Sequence, residues 1–152
     1  MKVRYAEGAW FAVPLRNGGF ASGLVARATA AGPIVLAYCF GPKRPLPPKL
    51  DEQADLHASS AVLVARIGDL HLIDGHWPLI GRSPSFRRAD WPLPRFVRTD
   101  EISRRASLVE YAEDDPGRVV AKVSVPFGTS ALEPDRLLGA GVVEILLTRL
   151  LA

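Results

Sequence analysis

The chain has 152 residues, the size of one domain over 1–152 with one core. With 48% apolar and 23% charged residues it is not a disordered chain, and no apolar run approaches the roughly 20 residues that span a bilayer. A net charge of +3 is a small excess for a protein built to hold phosphates.

The opening Met1-Lys2-Val3-Arg4-Tyr5 has no apolar stretch after it and reads as mature sequence. Tyr5 to Leu15 carries Trp10, Phe11, Val13 and Leu15, which favour a strand. Pro14 cannot donate to a ladder, so this strand lies at an edge or ends near it. Asn17-Gly18-Gly19 supplies the positive-φ positions of a tight turn, and Phe20 to Ala28 reads as the returning strand, with Gly23 marking a bulge or bend.

Pro33 to Phe40 is apolar on both faces, as a central buried strand is, and Gly41-Pro42 should end it. The prolines at 42, 45, 47 and 48 then predict a stiff connection over 41–50, followed by a helical turn near Asp51 to His57 with Asp51 as its cap. The single Cys39 falls inside the apolar stretch and reads as a buried, reduced thiol of a cytoplasmic protein.

Ser60 to Ile67 is another buried strand. Leu70 to Ile73 and His76 to Ile80 flank Asp74-Gly75, which predicts a two-residue hairpin whose second arm Pro78 keeps short or at an edge. Gly81 to Pro94 reads as a loop that Trp91 and Phe96 anchor to the core. Arg105 to Ala112 and Arg118 to Val125 form a third hairpin around Glu113 to Gly117, with Val119, Ala121, Val123 and Val125 on a buried face and Lys122 and Ser124 on the other.

Pro134 and Asp135 suit a first helical turn, and Leu137 to Leu151 is apolar nearly all round. This helix is therefore buried, or one side of it meets a second copy in a homodimer. The fold expected is α+β: a β-rich antiparallel sheet, or a partly open small barrel built from hairpins, packed by a C-terminal α-helix.

Two clusters could carry function. Arg82, Arg87, Arg88, Arg95, Arg98, Arg104 and Arg105 crowd one stretch, with Glu110, Glu113, Asp114 and Asp115 just downstream. They make either a site for an anion or acidic partner, or a solvated loop whose charges neighbours neutralise, the commoner case. No nucleic-acid motif accompanies them. The second cluster is Asp69, His71, Asp74 and His76, with His57 upstream. A two-residue turn puts His71 and His76 on one face but spends Asp74 on the turn, so the two imidazoles are at best a partial metal site and no cofactor is expected. Glu144 is either a buried catalytic acid or, more commonly, the wet stripe of a packed helix. No phosphate-binding glycine loop or nucleophile elbow is present.

Several segments, taken in order, resemble a bacterial family, the immunity protein 26 family, which is also named for a phosphotriesterase that hydrolyses coroxon. They are Glu7 to Leu15, Gly19-Phe20 and Gly23, Gly68-Asp69-Leu70, Gly75 to Gly81, Trp91 to Phe96 and Asp135 to Gly141. The resemblance implies a non-catalytic immunity protein that binds and neutralises a cognate toxin. For such a partner Arg82, Arg87, Arg88, Arg95 and Arg98 are the contact residues expected, since charge complementarity speeds and orients association. It implies, alternatively, a metal-dependent phosphotriester hydrolase. That chemistry normally needs a Lewis-acid metal held by several histidines. The chain has three His and no H-x-H, so no catalytic residue carries over. A β-rich interaction module is the remaining reading.

Overall fold

The computed structural model describes residues 4–30, 32–129 and 132–152. The expected first hairpin forms: β1 (Ala9–Pro14) pairs antiparallel with β2 (Phe20–Arg27), and Gly18 and Gly19 take the positive φ that the turn requires. The pairing is regular at Phe11 and Gly23, so Gly23 marks no bulge. It leaves room instead: a Cβ there would overlap the Phe11 ring.

β3 (Ile34–Arg44) pairs with β2 and with β4 (Leu63–Gly68). It does not stop at Gly41-Pro42 but runs on to Arg44. Pro42 lies where the β2 register shifts between Phe20 and Ser22, beyond the last pair with β4, so its missing N–H breaks no regular ladder. The stiff connection is correspondingly shorter. The helical turn that follows is a 3-10 turn, Leu50–Gln53, entered through Lys49, whose N–H donates to Glu52 Oε1 at 2.8 Å; Asp51 is inside the turn, not its cap.

The hairpin expected around Asp74-Gly75 is absent. Leu70–Ile73 is a single helical turn, α1, with Leu72 buried and Leu70 exposed. Asp74 stays right-handed and Gly75 takes φ +79, so the Asp-Gly signal marks the end of a helical turn. β5 (Leu79–Arg82) then pairs with β1 as a short edge strand, as Pro78 required.

β6 (Phe96–Asp100), in a stretch where the sequence predicts no element, joins β7 (Arg105–Ala112) and β8 (Asp115–Val125) in a second antiparallel sheet. The third hairpin forms, but its second arm begins at Asp115 rather than Arg118, so the turn is Glu113-Asp114 alone, and β8 does not bury its valines. Lys122 pairs with the buried Val109 and so belongs to the row facing the first sheet, while Val123 pairs with Leu108 on the opposite row. A register shift beyond Glu110 moves Val119 into the row of Tyr111. Val119, Val120 and Val123 are all exposed, because β8 is an edge strand beyond the core.

The C-terminal segment also differs from expectation. Leu137–Leu138 is a short strand, β9, parallel to β4, and the helix α2 spans Ala140–Leu150 after Gly139. Asp135 lies before it, and Arg98 and Tyr111 bind its side chain. Val143 and Leu147 of α2 are fully buried, whereas Val142, Ile145 and Leu150 are exposed.

The first sheet has the order β5-β1-β2-β3-β4-β9 and forms the middle of three layers. Phe11, Val25, Val35, Cys39 and Ile67 on one face pack with Leu72, Trp77, Val143 and Leu147. Trp10, Leu24, Leu36, Tyr38 and Phe40 on the other pack with Trp91, Phe96, Val109 and Tyr111 of the loop and second sheet. Both faces are covered, which is why β3 reads as an unbroken apolar run. The architecture is α+β, and the two sheets do not close into a barrel. Burial pushes the Cys39 thiol up to about 12, which fits an inert core cysteine.

Candidate functional site

The arginine stretch, continuous in sequence, is divided in space. Arg82 and Arg88 converge on Glu7. Arg82 Nε donates to its carbonyl at 3.1 Å, and Arg88 donates twice to its carboxylate, at 2.8 and 2.8 Å. Arg87, adjacent in the chain, pairs with Asp90 and keeps 74% of its side chain exposed. Arg95 is exposed on the loop before β6. Arg98 is on β6 and binds Asp135 at 2.7 Å.

The segment carrying Arg87 and Arg88 is strapped to β2 by a residue the sequence did not single out. Arg27, buried in a β-strand, donates to the carbonyls of Trp91 at 3.0 Å and Arg88 at 3.4 Å, and pairs with Glu113 of the acidic cluster. Tyr38 Oη donates to the carbonyl of Pro92. An arginine in an apolar strand reads as an intrusion until the partner loop is in place.

Beside this segment is a cleft of about 470 Å³ whose walls include Trp10, Leu50, Gln53, Phe86 and Trp91. Trp10 and Trp91 meet edge to face, 5.9 Å between ring centres. Gln53 is buried in the wall. Its Nε2 donates to the Lys49 carbonyl at 3.2 Å, but its Oε1 has no hydrogen-bond partner among the described residues. Asp90, also on the wall, holds the exposed Arg87 at the cleft. The result is an aromatic hollow with one unpaired acceptor and an arginine-bearing side.

On the opposite face of the first sheet, around α2, the second cluster assembles. His71 and His76 do come together, 4.5 Å between ring centres, though α1 and not a hairpin brings them there. Asp74 organises the turn, with Oδ1 accepting the His76 N–H at 2.8 Å and Oδ2 facing His71 Nδ1 at 3.1 Å. The third member is Glu144, which is buried and not a wet stripe. Its Oε2 is 3.9 Å from His71 Nε2 and 3.8 Å from His76 Nε2. Trp77 Nε1 donates to the same oxygen at 2.8 Å, and Arg16 Nε to Oε1 at 2.9 Å. The Trp77 ring is itself held by stacking on Phe11, 5.6 Å away and nearly parallel. The sequence presents Glu144 alone, because only the docking of α2 shows that its fifth residue meets α1 and the turn after it.

With this geometry in hand, comparison with protein-family models matches residues 6–108 to the family described as Immunity protein 26. That description carries no phosphotriesterase label. No curated protein and no solved structure matches the chain.

Proposed function

From a chain that belongs to the immunity protein 26 family, we propose a non-catalytic binder that captures and neutralises a cognate toxin in the bacterial cytoplasm. The family match carries this reading. The cleft walled by Trp10, Phe86 and Trp91 supports a place for it: large aromatic surfaces dominate protein interfaces when a partner side chain fills the hollow between them. Arg87, paired with the wall residue Asp90, would orient an acidic partner at that hollow. Gln53 Oε1 offers an acceptor whose burial is compensated only when a donor arrives. The partner surface that fits is an acidic segment presenting one apolar side chain flanked by a hydrogen-bond donor.

The experiment is to co-express the protein with any toxin-like open reading frame found adjacent to its gene, and then to titrate the purified pair. Neutralisation and saturable binding are expected. Arg87→Glu combined with Arg88→Glu should weaken binding by at least about tenfold and flatten or invert its dependence on salt. Full neutralisation by that double variant would move the interface elsewhere on the molecule. Failure of the wild-type protein to bind or protect would overturn the reading itself.

A further inference from the structure

We propose that His71, His76 and Glu144 form a binding site for a divalent transition-metal cation of the Zn²⁺ class, on the face of the first sheet opposite the aromatic cleft. The donor set is two imidazole nitrogens and one carboxylate oxygen, which suits Zn²⁺ and its neighbours and not Mg²⁺ or Ca²⁺. The three ligand atoms lie within 4.8 Å of one another. Metal–ligand bonds of about 2.0–2.2 Å in a tetrahedron place ligand atoms roughly 3.4 Å apart. The separations of 3.9 and 3.8 Å from Glu144 Oε2 therefore need to close by only about half an ångström.

The surroundings are those of a prepared site. The Asp74 carboxylate beside His71 Nδ1 favours the proton on that nitrogen and leaves the Nε2 lone pair toward Glu144, as the outer carboxylate of a metal-bound histidine does. Asp74 also fixes the backbone of His76. Glu144 is aimed by Trp77 and Arg16, and each of its oxygens accepts one of those bonds, leaving a lone pair on Oε2. His76 has 56% of its side chain exposed, so a cation there is reached from solvent and keeps a fourth position for water. His71 Nε2 and His76 Nε2 both face Oε2 of the buried Glu144 at 3.9 and 3.8 Å, beyond hydrogen-bonding distance, and a cation between them would engage all three.

Untagged protein stripped with EDTA and desalted should bind one equivalent of Zn²⁺ in calorimetric titration, and Co²⁺ in the same site should show the visible absorption of a four-coordinate ion. His76→Ala, at an exposed position that the fold does not need, should weaken Zn²⁺ binding by at least about tenfold, and Asp74→Asn by about tenfold. His57→Ala, on the cleft side, should leave it unchanged. Absence of saturable Zn²⁺ binding by the wild-type protein would overturn the proposal, as would binding that survives His76→Ala undiminished. The readout is independent of the toxin, so its failure leaves the immunity reading standing.

Discussion

Two buried carboxylates, Asp135 and Glu144, stand in the C-terminal segment nine residues apart, and the protein treats them differently. Asp135 has a side chain 3% exposed and is saturated. Tyr111 Oη donates to Oδ1 at 2.6 Å, Arg66 Nη2 to the same oxygen at 3.2 Å, and Arg98 Nε to Oδ2 at 2.7 Å. Arg66 also lies 4.0 Å over the Tyr111 ring. Burial pushes the Asp135 carboxyl up, but the bonds from Tyr111 and Arg98 and the charge of Arg66 outweigh it and hold it below the usual carboxylate range. Glu144, 6% exposed, has one arginine that is 54% exposed, one indole, and two imidazoles that stop short of bonding. The first is a carboxylate with every oxygen partnered, joining β4, β6 and β7 to the segment before β9, with Arg66 Nε left unpaired among the described residues. The second is held in place yet left open on one side. A carboxylate with both oxygens paired serves the fold, and one left open on one side is available to a ligand.

The sharpest way to break this contrast is to remove each carboxylate. Asp135→Ala leaves Arg66 buried without a counter-charge and should destabilise the protein by about 3–5 kcal/mol in urea unfolding. Glu144→Gln keeps an acceptor for Trp77 and gives up a half-exposed ion pair, so about 1 kcal/mol is expected. Equal losses would dissolve the distinction.

Gly23→Ala tests how the open site is held. The new Cβ must displace the Phe11 ring, and Trp77 stacks on that ring while donating to Glu144. A loss of about 1–3 kcal/mol is expected, with the near-ultraviolet dichroism of Trp77 altered. An unchanged signal would mean that the stack does not position the indole.

Acid sharpens the contrast from the other side. The folded Asp135 pKa lies below the unfolded value of about 3.9, so the unfolded chain takes the proton first. Its contribution is complete above that range and is lost as pH falls through the folded pKa. Asp135→Asn should therefore flatten the slope of stability against pH below about pH 4 and leave it unchanged near neutrality, apart from a constant offset.

What the sequence showed and what it hid follow the same division between local and long-range physics. The Gly18-Gly19 turn and the bounds of β7 were legible because turn residues and two-residue periodicity act over a few positions. α1 was misread because Leu70 to Ile73 is too short for periodicity to separate strand from helix, and Asp-Gly serves both a hairpin and the end of a helical turn. β9 borrows its partner from β4, some seventy residues earlier, and nothing near Leu137 announces it. The pairing of His71 with His76 was anticipated, by way of a hairpin that does not form. Glu144 joined them only through the docking of α2, and Arg27 found its carbonyl partners only through the fold of the 88–92 segment.

Arg16 offers the finest cut at the open site. Its backbone N–H donates to Thr148 Oγ1 at 2.9 Å, so the turn after β1 stays docked on α2 whatever the side chain. The guanidinium is half exposed, and a pair of that kind contributes less than about 1 kcal/mol. Arg16→Ala should therefore barely move the unfolding midpoint. Its effect should appear in cation binding, because the guanidinium competes with a cation for the charge of Glu144 and repels it across a few ångströms of partly wet space. Removing it should tighten Zn²⁺ binding by roughly three- to tenfold. At Arg98, similarly exposed at 45%, truncation strips a donor from both Asp135 and Tyr111 and should lower stability while leaving Zn²⁺ affinity unchanged. If Arg16→Ala leaves Zn²⁺ affinity where it was, Glu144 is not among the groups that hold the cation, and its open side has another purpose.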